Sequence, residues 1–234
     1  MKNFITIAIF IFAVSLQAQE SKNLLDHYSK YYKQMQSQGD IQGVINALTH
    51  LNIIDPNEKR KDTLAVLYMN EGRFIQALNT IGVESLDSDS DMAVEVKAIS
   101  LQSLNEIERA LPHYEELFKR KPNPYIAYEL ADIKIQLNDF LGALKHITFG
   151  IANSNDDIYR NYFDTQTQYQ VPMKAAFIYL KGLLTFKENK EENIDKAITL
   201  MVEALELAPN FNLAKISIDA LNAQKTAEYK VIFF

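Results

Sequence analysis

The stretch Leu64–Ile81, LAVLYMNEGRFIQALNTI, predicts two short helices joined at Gly72. Its apolar residues recur at intervals of three to four, so each helix has one apolar face. A single helical hairpin cannot bury two such faces by itself and needs a neighbouring surface. The faces are formed by Leu64, Ala65 and Tyr68 in the first helix and by Phe74, Ala77 and Ile81 in the second.

The same arrangement of small residues recurs along the chain with a fixed period. Small residues before the turn follow one another at intervals of 33 residues (98 − 65 and 131 − 98), and each lies 12 residues before a second alanine. Short side chains at both places let two helices approach closely, whereas larger ones would overpack the contact. A fixed period indicates a repeat architecture. The pairs are Ala65 and Ala77, Ala98 and Ala110, and Ala131 and Ala143.

The position between the two helices of each hairpin holds a residue that accepts a left-handed backbone. Gly and Asn adopt positive φ after a helix more readily than other residues do. Two positions later, an apolar residue begins the second helix. The turn residues are Gly39, Gly72, Asn105 and Asn138, and the apolar residues are Ile41, Phe74, Ile107 and Phe140.

These residues resemble the tetratricopeptide repeat (TPR) family over about 25–210. The second unit carries Ala65, Tyr68, Gly72, Phe74 and Ala77, and the fifth carries Gly182 followed by Lys196–Asn210, KAITLMVEALELAPN. The resemblance implies an all-α fold, a right-handed superhelical stack of about five helix hairpins with a C-terminal capping helix.

The chain departs from the family pattern at several positions. It contains no Trp, although the family has one early in the first helix. Tyr32 and Val44 occupy places that are usually small, and Glu84 and Gly150 stand where the family favours Ala. Between Gly182 and the alanine at 197, the spacing is three residues longer than in the other units.

The repeat grid divides the chain into segments. The predicted units lie near 25–57, 58–90, 91–123, 124–157 and 175–211, within a solenoid of residues 19–227. The remaining segments are a signal peptide at 1–18, an insert at 158–174, a capping helix at 212–225 and an apolar tail at 228–234.

The composition limits the classes of function. The formal net charge is −6 and the isoelectric point is about 5.3, which argues against nucleic acids and anionic membrane surfaces as partners. The absence of cysteine excludes disulfides, thiol catalysis and cysteine metal sites.

The N-terminal segment predicts a secretory signal peptide. Lys2 precedes the apolar run Phe4–Val14, and this run is too short to cross a membrane comfortably. Cleavage is expected after Ser15 or after Ala18. The mature protein is then periplasmic or secreted in a bacterium and has no membrane span.

The sequence contains only weak matches to metal-binding or catalytic motifs. Asp87, Asp89 and Asp91 imitate the start of a calcium loop, but the glycine and the acidic residue that the loop needs at its sixth and twelfth places are missing. Helix capping in this segment is the simpler interpretation. The four histidines are scattered without paired acids, so the sequence predicts no enzyme, cofactor or metal site.

In the resembled family, the first helices of the units line a concave groove that binds peptides or proteins. Counting the second, fifth, ninth and twelfth places of units four and five gives a predicted groove with an aromatic character. We therefore expect a non-enzymatic interaction scaffold of the bacterial envelope, with an unidentified protein or peptide partner. The predicted groove residues are Tyr125, Tyr128, Asp132, Ile135, Tyr179, Leu183 and Phe186.

Two alternatives come from the same region. The insert or the tail Val231–Phe234 could occupy the groove and close it. The insert, with Tyr159, Tyr162 and Tyr169, could also bind a glycan or small molecule, or carry an enzyme site at Asp164. As a structural element, it is expected to be a loop on the binding face or, alternatively, an extended helix or a loop packed on the scaffold.

Overall fold

The structure is a computed structural model that describes residues 22–163 and 167–232, with side chains described up to residue 226. The predicted signal peptide and Asp164 lie outside the described residues. Helices account for nearly all of the regular structure. The chain divides into two compact units, Met1–Ala110 and Leu111–Phe234, whose boundary falls within one helix.

The N-terminal unit consists of consecutive antiparallel helices that pack on their neighbours. Helix α3 contacts α2, α4 and α5. One cluster of buried residues joins Val44, Ile45, Leu48 and Leu64, and a second joins Ala65, Ala77 and Val96. The helices are α1 (22–38), α2 (Ile41–Ile54), α3 (Glu58–Asn70), α4 (Phe74–Ile81), α5 (Asp91–Ser103) and α6 (Ile107–Arg120), the last of which continues into the second unit.

The C-terminal unit continues the hairpin pattern and contains the strands. Helix α8 packs between α7 and α9, α10 packs on α9 and α11, and α7 also contacts α9. The elements are α7 (Pro124–Gln136), α8 (Phe140–Asn153), β1 (Tyr159–Phe163), β2 (Gln168–Pro172), α9 (Met173–Glu188), α10 (Ile194–Leu207) and α11 (Asn212–Ile232).

The four predicted turn residues have the backbone that the sequence predicts. Gly39 and Gly72 have φ of +70°, Asn105 has +62° and Asn138 has +61°. In each turn the next N–H closes the helix end, as when the Asp139 N–H donates to the Lys134 carbonyl at 2.8 Å. The helix stop is thus a local property of the residue in the turn.

The insert forms an antiparallel β-hairpin rather than the expected helix or loop. Tyr162 lies opposite Tyr169, and Arg160 lies opposite Val171. Side chains in β1 alternate between exposed and half-buried. Aromatic residues suit such a half-buried pleated surface, and the alternation lets Arg160 and Tyr162 point toward the helices.

The segment that imitates a calcium loop is a helix cap combined with a buried ion pair. Ser90 Oγ accepts the Ala93 N–H at 3.0 Å and caps α5. Asp89 Oδ2 instead lies 2.6 Å from Nζ of Lys97, whose side chain is fully buried. The Lys97 ammonium also donates to the Glu84 carbonyl at 2.7 Å.

The last helix extends past the predicted end of the capping helix at residue 225. Helix α11 continues to Ile232, so most of the predicted apolar tail is helical. Its side chains beyond residue 226 lie outside the described set. Across the described ranges, no helix combines the length and apolar character that crossing a membrane requires.

Candidate functional site: the groove of helices α7 and α9

The seven predicted groove residues lie on two neighbouring helices. Four of them lie on α7, among them Tyr125 and Asp132, and three lie on α9. Helices α7 and α9 are in contact. Their accessibility differs widely: Tyr125 is 52% exposed, Asp132, Leu183 and Phe186 are half-buried, and the other three are buried. The buried residues are Tyr128, Ile135 and Tyr179.

Strand β1 covers Tyr128. The hydroxyl oxygens of Tyr128 and Tyr162 are 2.8 Å apart, and the guanidinium carbon of Arg160 lies 3.7 Å from the centre of the Tyr128 ring. Arg160 also donates from Nη1 to Glu129 Oε1 at 2.7 Å. Burial raises the pKa of the Tyr128 and Tyr162 hydroxyls, so both stay neutral and one donates to the other.

The start of α11 covers Tyr179. The Tyr179 hydroxyl lies 3.0 Å from Oγ of Ser217, and its ring centre lies 5.0 Å from that of Phe211. Phe211 also contacts Tyr162, and Tyr162 stacks on Tyr169 at 5.7 Å. We call Tyr128, Tyr162, Tyr169, Tyr179 and Phe211 the aromatic cluster. It joins the hairpin to α7, α9 and α11.

Asp132 is the charged residue among the predicted groove residues, and within the described chain it has no direct cation partner. Its carboxylate accepts a hydrogen bond from the Gln136 side-chain amide at 2.9 Å, and no Lys or Arg of the described chain forms an ion pair with it. Burial, reinforced by Glu129, raises the pKa of this carboxyl, and the hydrogen bond from Gln136 and the charges of Arg160 and Lys187 partly oppose the shift. A partly desolvated acid of this kind is suited to pairing with a cation of a partner.

The candidate residues and their neighbours combine aromatic rings, carboxylates and an amide on two helices. Within the described ranges, no cluster of three or more His, Asp or Glu residues could hold a metal ion. Two of the histidines pack against aromatic rings: His50 stacks on Tyr28 at 4.3 Å, and buried His146 meets Phe118 edge-on with its pKa lowered by burial.

The sequence predicts the two helices that carry the candidate residues, but it does not predict the segments that cover Tyr128 and Tyr179. Arg160 and Tyr162 lie in the insert that the sequence marks as a candidate binding loop, yet they contact the predicted groove itself. Phe211 carries no sequence signal beyond being apolar before a helix. The sequence of Tyr159–Phe163, YRNYF, does not alternate apolar and polar residues, so no period of two marks the strand before the structure is known.

The comparisons with solved structures agree on one fold. A tetratricopeptide repeat protein from Parabacteroides merdae is 15% identical, with 90% of this chain and 79% of that chain covered and a TM-score of 0.64. YrrB, a TPR protein with an unusual peptide-binding site, is 14% identical, with 87% and 96% covered and a TM-score of 0.64. The MamA protein is 17% identical, with 79% and 92% covered and a TM-score of 0.57.

No protein-family model matches the chain, and no curated protein matches it in sequence. The structural likeness therefore establishes the fold. The chain has the tetratricopeptide repeat fold, an all-α stack of helix hairpins, here with a β-hairpin inserted before the last repeat. The predicted fold class is confirmed.

Proposed function

We propose that the chain is a non-enzymatic protein–protein interaction scaffold that binds a peptide or partner protein along the groove of α7 and α9. One observation carries the proposal: an extended segment of the chain's own sequence, β1, already lies against these helices. Arg160 and Tyr162 hold it there through an aromatic ring and a carboxylate. The surface thus has the chemistry that an extended peptide needs.

The hairpin limits where a partner binds. Tyr128 and Tyr179 are 5% and 4% exposed, so a partner does not reach them in this conformation. Tyr125, Asp132, Leu183 and Phe186 stay accessible beside the hairpin. We place the partner on these four residues, where half-buried apolar side chains flank an acid without a direct cation partner.

The fold neighbours give general support. YrrB is described as having a peptide-binding site, and interaction scaffolding is consistent with the shared fold. Of the two alternatives, closure by the insert agrees with the position of the hairpin. Glycan binding by the insert has less support, because Tyr162 and Tyr169 point into the aromatic cluster and leave Tyr159 as the exposed tyrosine of the strands.

The test compares two variants of matched surface character. Tyr125→Ser with Asp132→Asn alters the groove, and Leu141→Ser alters an exposed apolar residue of α8 outside it. Cross-linking and pull-down from bacterial envelope extracts should lose a partner in the groove variant alone. Equal capture by both variants and the unaltered protein contradicts the proposal.

Tyr128 and Tyr179 are unsuitable targets for truncation. Removing a buried aromatic side chain costs about 3–5 kcal/mol and disturbs the fold together with any site. The accessible residues avoid this difficulty.

We further propose that the protein is exported to the bacterial envelope or secreted. Lys2 followed by Phe4–Val14 supports this. The intact mass of protein purified from cell envelopes or medium should correspond to a chain that begins at Leu16 or Gln19. A chain that retains Met1 contradicts export by signal cleavage.

A further inference from the structure

The hydrogen bonds of the hairpin determine which backbone groups of β1 face outward. In antiparallel strands, opposed residues alternate between pairs that exchange both backbone bonds and pairs that exchange none. The Met173 N–H donates to the Ile158 carbonyl at 2.8 Å, two residues away from the Arg160–Val171 pair. Inward pairs therefore fall on the even-numbered residues of β1. The residues whose N–H and C=O groups point away from β2 are Tyr159, Asn161 and Phe163.

The two edges of the hairpin differ. The outer edge of β2 is occupied, since the Gln170 carbonyl accepts a hydrogen bond from Nδ2 of Asn210 at 3.0 Å. Gln170 lies opposite Asn161, which agrees with the alternation above. On β1, no described residue bonds the outward backbone groups of Tyr159, Asn161 or Phe163. The edge of β1 is free within the described chain.

The side chains on this edge are exposed as well. Tyr159 is 44% exposed and Phe163 is 79% exposed. Proteins usually protect a free edge with Lys, Pro or a bulge. The outward positions of β1 carry none of these and present two aromatic rings, which are frequent anchors in interfaces.

The charges near the edge indicate the partner's chemistry. Asp156 and Asp157 precede β1 and are exposed. The cation of the strand, Arg160, points to the other face and is paired with Glu129. The start of the edge therefore carries two exposed acids that Arg160 does not neutralise, and basic side chains complement them.

We infer that the outer edge of β1 binds an extended peptide that carries basic residues and that adds to the hairpin as a third strand. The inference rests on the proposed scaffold function and specifies its partner. Backbone hydrogen bonds to Tyr159, Asn161 and Phe163 supply affinity, and alternate side chains supply specificity. Ionic contacts at Asp156 and Asp157 weaken as salt is added.

The test removes one backbone donor and leaves the hairpin bonds intact. Asn161→Pro deletes an outward N–H, and proline is tolerated at such edge positions. Asn161→Ala is the matched control, because both variants lose the side-chain bond between Gln170 and Asn161 and only the proline variant loses the N–H. A random dodecapeptide library is selected on the unaltered protein, and the enriched peptides are measured on both variants.

The expected result is enrichment of Lys and Arg, binding to Asn161→Ala as to the unaltered protein, and binding to Asn161→Pro that is about tenfold weaker or worse. Asp156→Asn with Asp157→Asn should weaken binding and reduce its salt dependence. A library whose enriched peptides bind both position-161 variants equally overturns the inference, as does one that yields no binder.

A second measurement does not depend on the stability of a variant. N-methylation of alternate peptide residues should abolish binding in one register and spare it in the other, because an added strand bonds through every second residue. Equal effects of both registers overturn strand addition. Sedimentation of the unaltered protein without peptide shows whether a second copy of the chain occupies the edge instead. A dimer that is lost in Asn161→Pro would identify that second copy as the occupant and would also overturn the inference.

The outcome is separable from that of the proposed function. A partner that is lost in the Tyr125→Ser, Asp132→Asn variant but retained in Asn161→Pro supports the scaffold and rejects the strand edge.

Discussion

Asp132 is the residue at which stability and recognition oppose each other. Its carboxylate is half-buried on α7, has an amide as its hydrogen-bond partner, and lies close enough to Glu129 for repulsion. Desolvation of a charge costs folding free energy unless a partner compensates for it. A binding partner with a basic side chain would supply the missing compensation.

We expect Asp132→Asn to stabilise the free protein at neutral pH. Because the pKa of Asp132 is raised on folding, the folded chain binds a proton more tightly than the unfolded chain, and stability falls as pH rises through that pKa. The gain from Asn should therefore be largest at neutral pH and shrink on acidification. Thermal unfolding from pH 3 to pH 8 measures it.

Asp139 is the control, because its pKa shifts on folding in the direction opposite to that of Asp132. Hydrogen bonds from the Gly142 N–H and from Lys134 lower its pKa, so its contribution to stability is present above the unfolded pKa and is lost as pH falls through the folded pKa. Asp139→Asn should be less stable at neutral pH, with a deficit that vanishes in acid. A stabilised Asp139→Asn, or an Asp132→Asn gain that grows in acid, contradicts this account.

Asp89 and Lys97 form the buried ion pair of the N-terminal unit. Breaking a buried pair by removing one partner typically costs about 3–5 kcal/mol. Asp89→Asn should lower the free energy of unfolding by an amount of this order in urea titration. Asp87→Asn, two residues earlier and exposed, should leave it unchanged. Equal effects of the two substitutions would show that the pair does not stabilise the fold.

At the scale of the elements, α8 and α9 are packed around a missing side chain. A Cβ atom built on Gly150 would lie only 2.0 Å from Cζ of Phe177. This explains a departure from the family pattern, since the alanine that the family favours would collide with a ring of α9. The Phe177 ring fills the space that the missing side chain of Gly150 leaves.

Gly150→Ala should therefore destabilise the protein by about 1–3 kcal/mol through overpacking. In a Phe177→Leu background the same change should cost little, because space is available and alanine favours the helix by up to about 1 kcal/mol. A double-mutant cycle in urea measures this coupling. Additive effects of the two substitutions would contradict it.

What the sequence predicts at this scale depends on the range of the interaction. The turns at Gly39, Gly72, Asn105 and Asn138 follow from the local preference of one residue for positive φ, and the structure confirms all four. The insert is different. Its strands depend on pairing with each other and on the bond between Tyr128 and Tyr162, residues that are 34 positions apart. A local pattern carries no information about such a contact.

At the scale of the whole molecule, the repeat fold predicts where a perturbation spreads. Within each unit, neighbouring helices pack on one another, so stability is approximately a sum of local and nearest-neighbour contributions. The fold class is predictable for the same reason, because one period repeated along the chain specifies one local structure many times. The covering of Tyr128 by β1 and of Tyr179 by the start of α11 each occurs once in the chain, so no repeated pattern predicts it.

Local perturbations should therefore remain local in hydrogen exchange. Asp89→Asn should accelerate amide exchange in α3–α5 and leave α9 and α10 protected, because the buried pair belongs to the N-terminal unit. Gly150→Ala should accelerate exchange in α8 and α9 and leave α2 and α3 unchanged. The two sites belong to different units, so the free-energy changes of the double variant should add to within about 0.5 kcal/mol. Accelerated exchange across both units in either variant would mean that the chain unfolds as one cooperative block, which nearest-neighbour stabilisation does not predict.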